Sequence, residues 1–264
     1  MKKNHAVTMK INLPIVLTIG GHDPTGGAGI IKDVEAIKSN NCHAVSLVSC
    51  LTCQNTYQFK NIAPIDSLLF SEQADVLLSG VEINTIKIGA ISSLNLVEII
   101  EKSILDQLEN VKVILDPVIK SSTHGTLADQ ATIDGLKSII FPKSFLITPN
   151  LEEAKILSGK SDLNSALEVL FSFTPKYILV KDIEDSKEKI VNQLYSPDGL
   201  LRSWSNKRLK GNFHGTGCYL ASSIASLMAN SENIETSIQL AQLNTLKAIK
   251  NSIKIGKGQR ILRG

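Results

Sequence analysis

The chain has little of what would place it in several large functional classes. Only 5% of its 264 residues are aromatic, one of them tryptophan, and the formal charge is +3 with the lysines scattered. Neither a basic stripe for nucleic acid nor a polybasic patch for a membrane surface is implied. No apolar run is long enough to span a bilayer. The first apolar stretch, Leu13 to Ile19, is short and lacks a small-residue cleavage site, so it reads as a strand rather than a leader. The cysteines are Cys42, Cys50, Cys53 and Cys218. Cys50 and Cys53 form a lone CxxC with no second pair and no histidine to complete a zinc set. A redox CxxC normally opens a helix, whereas this pair ends a strand before Gln54-Asn55-Thr56. Reduced structural thiols in a cytoplasmic enzyme are expected.

What is present is a chain with 43% hydrophobic and 20% charged residues, enough for a large core, and no break in composition that divides it. Residues 1–12 read as a loose extension and 13–264 as a single domain. Strands are expected at Leu13–Ile19, Ala44–Ser49, Thr85–Gly89, Val111–Val118, Phe145–Asn150 and Tyr177–Lys181. Helices are expected from near Ile30, at Asp66–Leu78, Leu94–Leu108, Ala128–Ile140, Leu151–Leu157 and Leu163–Phe171, after Cys218, and at Ile234–Ile253. Lys189–Leu194 and Leu200–Ser205 form a hairpin across Ser196-Pro197-Asp198-Gly199. This alternation predicts an α/β fold in three α/β/α layers, with a mostly parallel central sheet covered on both faces.

The chemistry-bearing motifs fall at the C-terminal ends of the expected strands, where ligands bind in such sheets. Gly20 to Gly29 is a glycine-rich turn that matches neither Walker A, since no Gly-Lys-Ser/Thr follows, nor the G-x-G-x-x-G fingerprint. Gly211-Asn212-Phe213-His214-Gly215-Thr216-Gly217-Cys218 opens a helix, whose unpaired N–H groups and dipole suit a phosphate. Cys218 in the first turn would feel that field and have its pKa lowered below the free value of roughly 8.5. The same residues also read as a C-cap glycine followed by a buried helix with a packing cysteine. Asn150 and Glu153 share a helix face and suit Mg2+, or equally an N-cap with a first-turn acid. Asp116 before Pro117 is a second, outer-sphere acid or a turn residue, and Lys181 at a strand end is a phosphate ligand or a solvated lysine. Together they fit phosphoryl transfer, with Cys218 taking the hydroxyl proton.

Six segments then carry a resemblance: GHDPTGGAGIIKD at Gly21–Asp33, CQNT at Cys53–Thr56, KIG at Lys87–Gly89, DPV at Asp116–Val118, TPNLEEA at Thr148–Ala154 and HGTGC at His214–Cys218. In this order they resemble the hydroxymethylpyrimidine/phosphomethylpyrimidine kinase family of thiamine biosynthesis, a branch of the ribokinase-like superfamily. The resemblance implies a pyrimidine alcohol in a pocket with Gly21, Asp33, Gln54, Ala90 and Val118, where Asp33 and Gln54 read the ring nitrogens and amine. It implies ATP near Asn150, Lys181 and His214, Mg2+ near Glu153 and Asp116 through water, and an anion hole at Gly215, Thr216 and Gly217. Cys218 is then the catalytic base, and members are commonly homodimers. The chain departs from the pattern in five places. Ala90 replaces a methionine, Asp182-Ile183-Glu184 replaces two glycines and a histidine, Phe213 replaces a threonine, Ile119 to Gly125 replaces a segment ending in Ser-Gly, and the Gly-Pro that follows Gly256-Lys257-Gly258 in the family is lost. The implied activity is ATP-dependent phosphorylation of 4-amino-5-hydroxymethyl-2-methylpyrimidine and of its monophosphate, with residues 119–126 as a lid. Pyridoxal phosphorylation and a non-catalytic pyrimidine binder are the alternatives.

Overall fold

The computed structural model describes residues 13–108, 110–121, 125–186 and 188–264, the side chains of 184–186 excepted. The expected extension at 1–12, the middle of the expected lid at 122–124 and the Glu184 side chain lie outside the described residues. In chain order the elements are β1 (Ile15–His22), α1 (Gly29–Ser39), β2 (His43–Gln54), β3 (Phe59–Pro64), α2 (Ser67–Leu78), β4 (Thr85–Ile88) and α3 (Leu94–Ile100). There follow β5 (Lys112–Leu115), α4 (Gln130–Gly135), β6 (Leu146–Ile147), α5 (Leu151–Ser158), α6 (Leu163–Phe171), β7 (Tyr177–Ser186), β8 (Lys189–Ser196) and β9 (Gly199–Lys207). The last are β10 (Phe213–His214), α7 (Thr216–Ala229), α8 (Ile234–Lys250) and β11 (Arg260–Ile261). Both α3 and α4 run on into π-helical turns, at Glu101–Leu105 and Leu136–Ile140.

Nine strands form one sheet in the order β3-β2-β1-β4-β5-β6-β7-β8-β9. The six from β2 to β7 are parallel; at the edges β3 pairs antiparallel with β2, β8 with β7, and β9 with β8. Side chains alternate between two cores, as a sheet covered on both faces requires. Val113 and Leu115 of β5 join Phe70, Leu96, Ile133, Leu157 and Leu170 from α2 to α6, while Ile114 joins Ile37, Ile224 and Ile238 from α1, α7 and α8.

Two departures from expectation have simple causes. The strand β3 was not expected, because FKNIAP shows no apolar alternation; it is an edge strand, half-exposed, held by backbone pairing to the end of β2. That pairing also carries β2 on to Gln54. The parallel ladder of β10 and β11 is only two residues long, too short to leave a pattern in sequence. The β8–β9 hairpin closes Ser196 against Gly199 as expected. No described helix is long and apolar enough to cross a membrane.

Candidate active site

The chain leaves β1 through one glycine loop and enters α7 through another, and the two touch backbone to backbone. Gly29 has φ +59, and a Cβ there would lie 2.1 Å from the Gly21 carbonyl oxygen. Gly215, the residue before α7, has φ +81, and a Cβ there would lie 1.9 Å from the Gly27 carbonyl oxygen. Only glycine satisfies both the left-handed backbone and the contact. Asp23 then locks the first loop: its carboxylate accepts from Thr25 N–H (2.9 Å), Ala28 N–H (3.0 Å) and the Thr25 hydroxyl. His214 Nε2 lies 2.8 Å from Asp23 Oδ2, so the same carboxylate also ties the first loop to the second. Burial works to raise the Asp23 pKa, but the His214 and Thr25 hydrogen bonds outweigh it and hold the carboxyl below its ordinary value. His214 is thus buried in a tie between loops at the cavity wall. Asp23 was not singled out from the sequence, although Asp-Pro-Thr-Gly-Gly is an Asx-turn signature.

Behind α7 lies a buried charge cluster. Asp33 on α1 accepts from Lys87 Nζ at 2.9 Å on both oxygens, from the Thr18 hydroxyl (2.8 Å) and from the Ser222 hydroxyl (2.8 Å). Asp33 is 0% exposed, and every favourable acceptor direction is used. The structure therefore places Asp33 behind the cavity wall, not on it, where the resemblance implied a substrate contact; Lys87, its partner on β4, is what reaches the cavity. Gly89 makes the room, since a Cβ there would sit 2.7 Å from Lys87 Nζ. Burial opposes the Lys87 charge, but Asp33 overcomes it and the pKa is raised.

A second buried pair stands at the end of β5. Asp116 Oδ1 accepts from Lys181 Nζ (2.7 Å) and from the Thr148 hydroxyl (3.0 Å), while Oδ2 is buried with no hydrogen-bond partner. Desolvation pushes the Asp116 pKa up, and Lys181 and Lys87 prevail to lower it. A Cβ on Gly217 would lie 3.3 Å from Lys181 Nζ and 3.7 Å from Asp116 Oδ2, so the first turn of α7 looks directly onto this pair.

Cys218 shares that turn, and here the expected thiolate is corrected. Burial pushes the thiol up to about 11; Lys87 pulls against it, but Asp33 and Asp116 push further in the same direction as burial. At neutral pH the sulfur is protonated. The field of α7 favours the thiolate, but burial and two carboxylates brought in by α1 and β5 outweigh it.

Asn150 and Glu153 form a complete capping box on α5: Asn150 N–H donates to Glu153 Oε2 and Glu153 N–H donates to Asn150 Oδ1, both at 2.8 Å. Desolvation moves the Glu153 carboxyl up to about 7, with Asp116 and Asp182 adding to it and Lys181 opposing. A hard divalent cation fits these residues. The Asp116 oxygen lacks a partner and the Glu153 carboxyl is disfavoured as an anion, and a nearby positive charge relieves both. Among the described residues no group of three His, Cys, Asp or Glu is arranged around a metal position. Asp182, in the place of the family's glycine, keeps a left-handed backbone at φ +55, and its N–H donates to Asn192 Oδ1.

All of this opens into one cavity of about 740 Å³. Gly21, Gln54, Ala90 and Val118 line one end, and Gln54 Oε1 is buried there without a partner. Lys87, Asp116, Asn150, Glu153, Lys181 and Gly215 to Cys218 line the middle. Lys120 bridges to Thr126, and Lys120 and Ser121 also line the cavity. Asp33 is the one expected site residue that the structure keeps out of the lining.

The family model for phosphomethylpyrimidine kinase matches residues 23–263. The hydroxymethylpyrimidine/phosphomethylpyrimidine kinase of Aquifex aeolicus is 28% identical over 253 residues, covering 94% of this chain and 99% of that one. That of Synechococcus elongatus is 30% identical over 258 residues, covering 94% and 95%. A probable thiamine biosynthetic bifunctional enzyme of rice is 30% identical over 255 residues, and this chain spans 46% of it. Among solved structures, an ADP complex of Bacillus subtilis pyridoxal kinase superposes with a TM-score of 0.85 at 22% identity, covering 95% of this chain and 97% of that one. Phosphomethylpyrimidine kinase from Clostridium difficile gives 0.75 at 23%, covering 89% and 99%. At those identities the superpositions speak for the fold, which is ribokinase-like. The match from Asp23 to Arg263 takes in most of the first glycine loop, all of the second and every strand end between them, and the chain belongs to the phosphomethylpyrimidine kinase family.

Proposed function

We propose that the protein transfers the γ-phosphoryl group of Mg2+-bound ATP to 4-amino-5-hydroxymethyl-2-methylpyrimidine and then to the resulting monophosphate. The observation that carries this reading is the first turn of α7 facing the buried Lys181 ammonium and the partnerless Asp116 oxygen, inside a cavity that Lys87 also lines. Such a turn offers its free N–H groups to an anion, and Lys87 and Lys181 supply compensating positive charge in a site of low dielectric. Phosphoryl transfer asks little covalent help of a protein beyond positioning and charge stabilisation. Mg2+, held by Asp116 and Glu153 directly or through water, supplies further charge neutralisation on the phosphates.

The pyrimidine occupies the end with Gly21, Gln54, Ala90 and Val118. There the unsatisfied Gln54 oxygen accepts a hydrogen bond from the ring amine, while Asp33 acts by holding Lys87. Since the Cys218 thiol is neutral, its role is to hydrogen-bond the substrate hydroxyl in line with the incoming phosphoryl group. The hydroxyl oxygen bonds the γ-phosphorus as the bond to the bridging oxygen breaks and ADP leaves, and the hydroxyl proton passes to an oxygen of the transferred phosphoryl group. Asn150 shapes the nucleotide side by capping α5, and His214 by clamping the anion loop. We further read the protein as cytoplasmic, and as homodimeric by the family's habit.

A coupled assay of ADP release with Mg-ATP tests this, offering the hydroxymethylpyrimidine, its monophosphate and pyridoxal in parallel. Turnover on the two pyrimidines is expected. Turnover on pyridoxal alone would move the assignment to that vitamer and make Ala90 the residue to examine. Binding of the pyrimidine without turnover on any of the three would leave a binder on a kinase scaffold.

A further inference from the structure

One motif, Gly256-Lys257-Gly258, does not line the cavity at all. The segment that follows it, residues 258–262, runs between the two halves of the site. At its start Gln259 N–H donates to the Thr56 carbonyl at 2.9 Å. Thr56 is buried in the turn after β2, which Asn55 ties by accepting from Tyr57 N–H (3.0 Å) and Gln58 N–H (2.8 Å). Gln54, at the pyrimidine end of the cavity, leads into that turn. Next, Arg260 N–H donates to the Asn212 carbonyl at 2.9 Å, and β11 lies on β10 with Ile261 beside His214, the residue before Gly215. Leu262 then packs with Tyr219 of α7 and Ala36 of α1. Its carbonyl accepts from Lys32 Nζ at 2.6 Å, and Lys32, itself buried, is paired with Glu35. The segment is thus fastened at one end to the turn after Gln54 and at the other to the anion loop and α1.

We propose that Gly258 is a positioning residue for phosphoryl transfer: by allowing this strap to close on Thr56, it fixes the distance between the pyrimidine end and the anion loop. This rests on the kinase reading, in which a hydroxyl bound at one end must meet a phosphoryl group held at the other. A Cβ on Gly258 would lie 2.2 Å from the Thr56 carbonyl oxygen and 2.9 Å from Tyr57 Cβ, while its φ lies outside the left-handed region. The close approach alone therefore demands glycine. A methyl group there drives the strap and the turn apart, and each carries one half of the site. Reacting groups need to approach to about 3–3.5 Å, so a misplacement of about 1 Å costs on the order of 10²-fold in rate while each ligand still finds its own half intact. Gly256 is the control, since a Cβ there would stand 3.7 Å from Thr56 Oγ1, an ordinary contact.

The test is steady-state kinetics of the full chain with Mg-ATP and the hydroxymethylpyrimidine, beside calorimetric affinities for the pyrimidine alone and for ADP alone, each variant checked by its melting temperature. Gly258→Ala is expected to lower kcat by about tenfold or more while both binary affinities stay within about threefold of the wild type. Gly256→Ala is expected to leave all three quantities unchanged. A weakened fold or a damaged pocket does not give that split. Lys32→Met, which frees the far end of the strap without touching Thr56, is expected to show the same split, and it carries the test if Gly258→Ala does not fold. A kcat within a few fold of the wild type, a loss of either affinity as large as the loss of kcat, or an equal effect of Gly256→Ala would overturn this inference and leave the kinase reading in place. A wild type that turns over neither pyrimidine would overturn the kinase reading, and this inference with it.

Discussion

Asp33 sits with both carboxylate oxygens committed, to Lys87 and to the hydroxyls of Thr18 and Ser222, where no water reaches them. Removing one partner of a buried pair leaves the other charge uncompensated, at about 3–5 kcal/mol. Asp33→Ala is expected to lower the urea unfolding free energy by that order, and a change within the error of the wild type would show that the pair does not hold Lys87 in place. Cys218 carries the complementary lesson. Its pKa is raised, so the folded state favours the protonated thiol; the associated stability is complete below the ordinary value of 9.0 and is lost as pH rises through about 11. At pH ~8, iodoacetamide should therefore label exposed Cys53 well before Cys218, because the thiolate is the reactive form. Equal labelling rates at that pH would contradict a neutral Cys218. The sequence supplied the residue types here but not their surroundings: Asp33 reads as a helix acid and Lys87 as a strand lysine until α1 and β4 are packed together.

The element that most needs its local sequence is α7. Its entry, Gly215, has φ +81 and no side-chain cap, and its Cα faces the Gly27 carbonyl too closely for any side chain. Gly215→Ala must therefore shift one glycine loop away from the other and displace the N–H groups that the proposed function assigns to the phosphoryl oxygens. Loss of one preorganised donor typically costs roughly 10²–10³ in turnover, and Gly215→Ala is expected to reduce kcat by at least the lower of these. A kcat within a few fold of the wild type would remove α7 from the anion-binding role. The glycine pattern made this junction legible, as did the capping box at Asn150 and Glu153, since both are local and leave a mark within a few residues. The π-helical turns after α3 and α4 left none, and β3 left little, because their stability comes from neighbouring elements rather than from their own periodicity.

At the scale of the whole molecule, the strand order explains why one cavity collects motifs from so much of the chain. From β1 the chain steps outward to β2 and β3, then crosses back to β4 on the other side of β1. The carboxyl ends of β1 and β4 therefore flank a switch point, the usual place for a ligand in an open α/β sheet. Gly20 and Gly21 end β1, Gly89 follows β4, and Asp116 follows β5. Alternating strands and helices were readable from hydrophobic patterning, and with them the three-layer fold. The order of strands was not, because periodicity says which residues face a core and not which strand lies beside which. Placement at the carboxyl ends of expected strands already gathered Gln54 and Cys218 on one edge of the sheet, and the strand order is what puts both on the same cavity. The most direct measurement is mass analysis of the products after incubating the protein with Mg-ATP and 4-amino-5-hydroxymethyl-2-methylpyrimidine. The account predicts the monophosphate first and the diphosphate after it; recovery of the unchanged alcohol, with or without ADP, would contradict it.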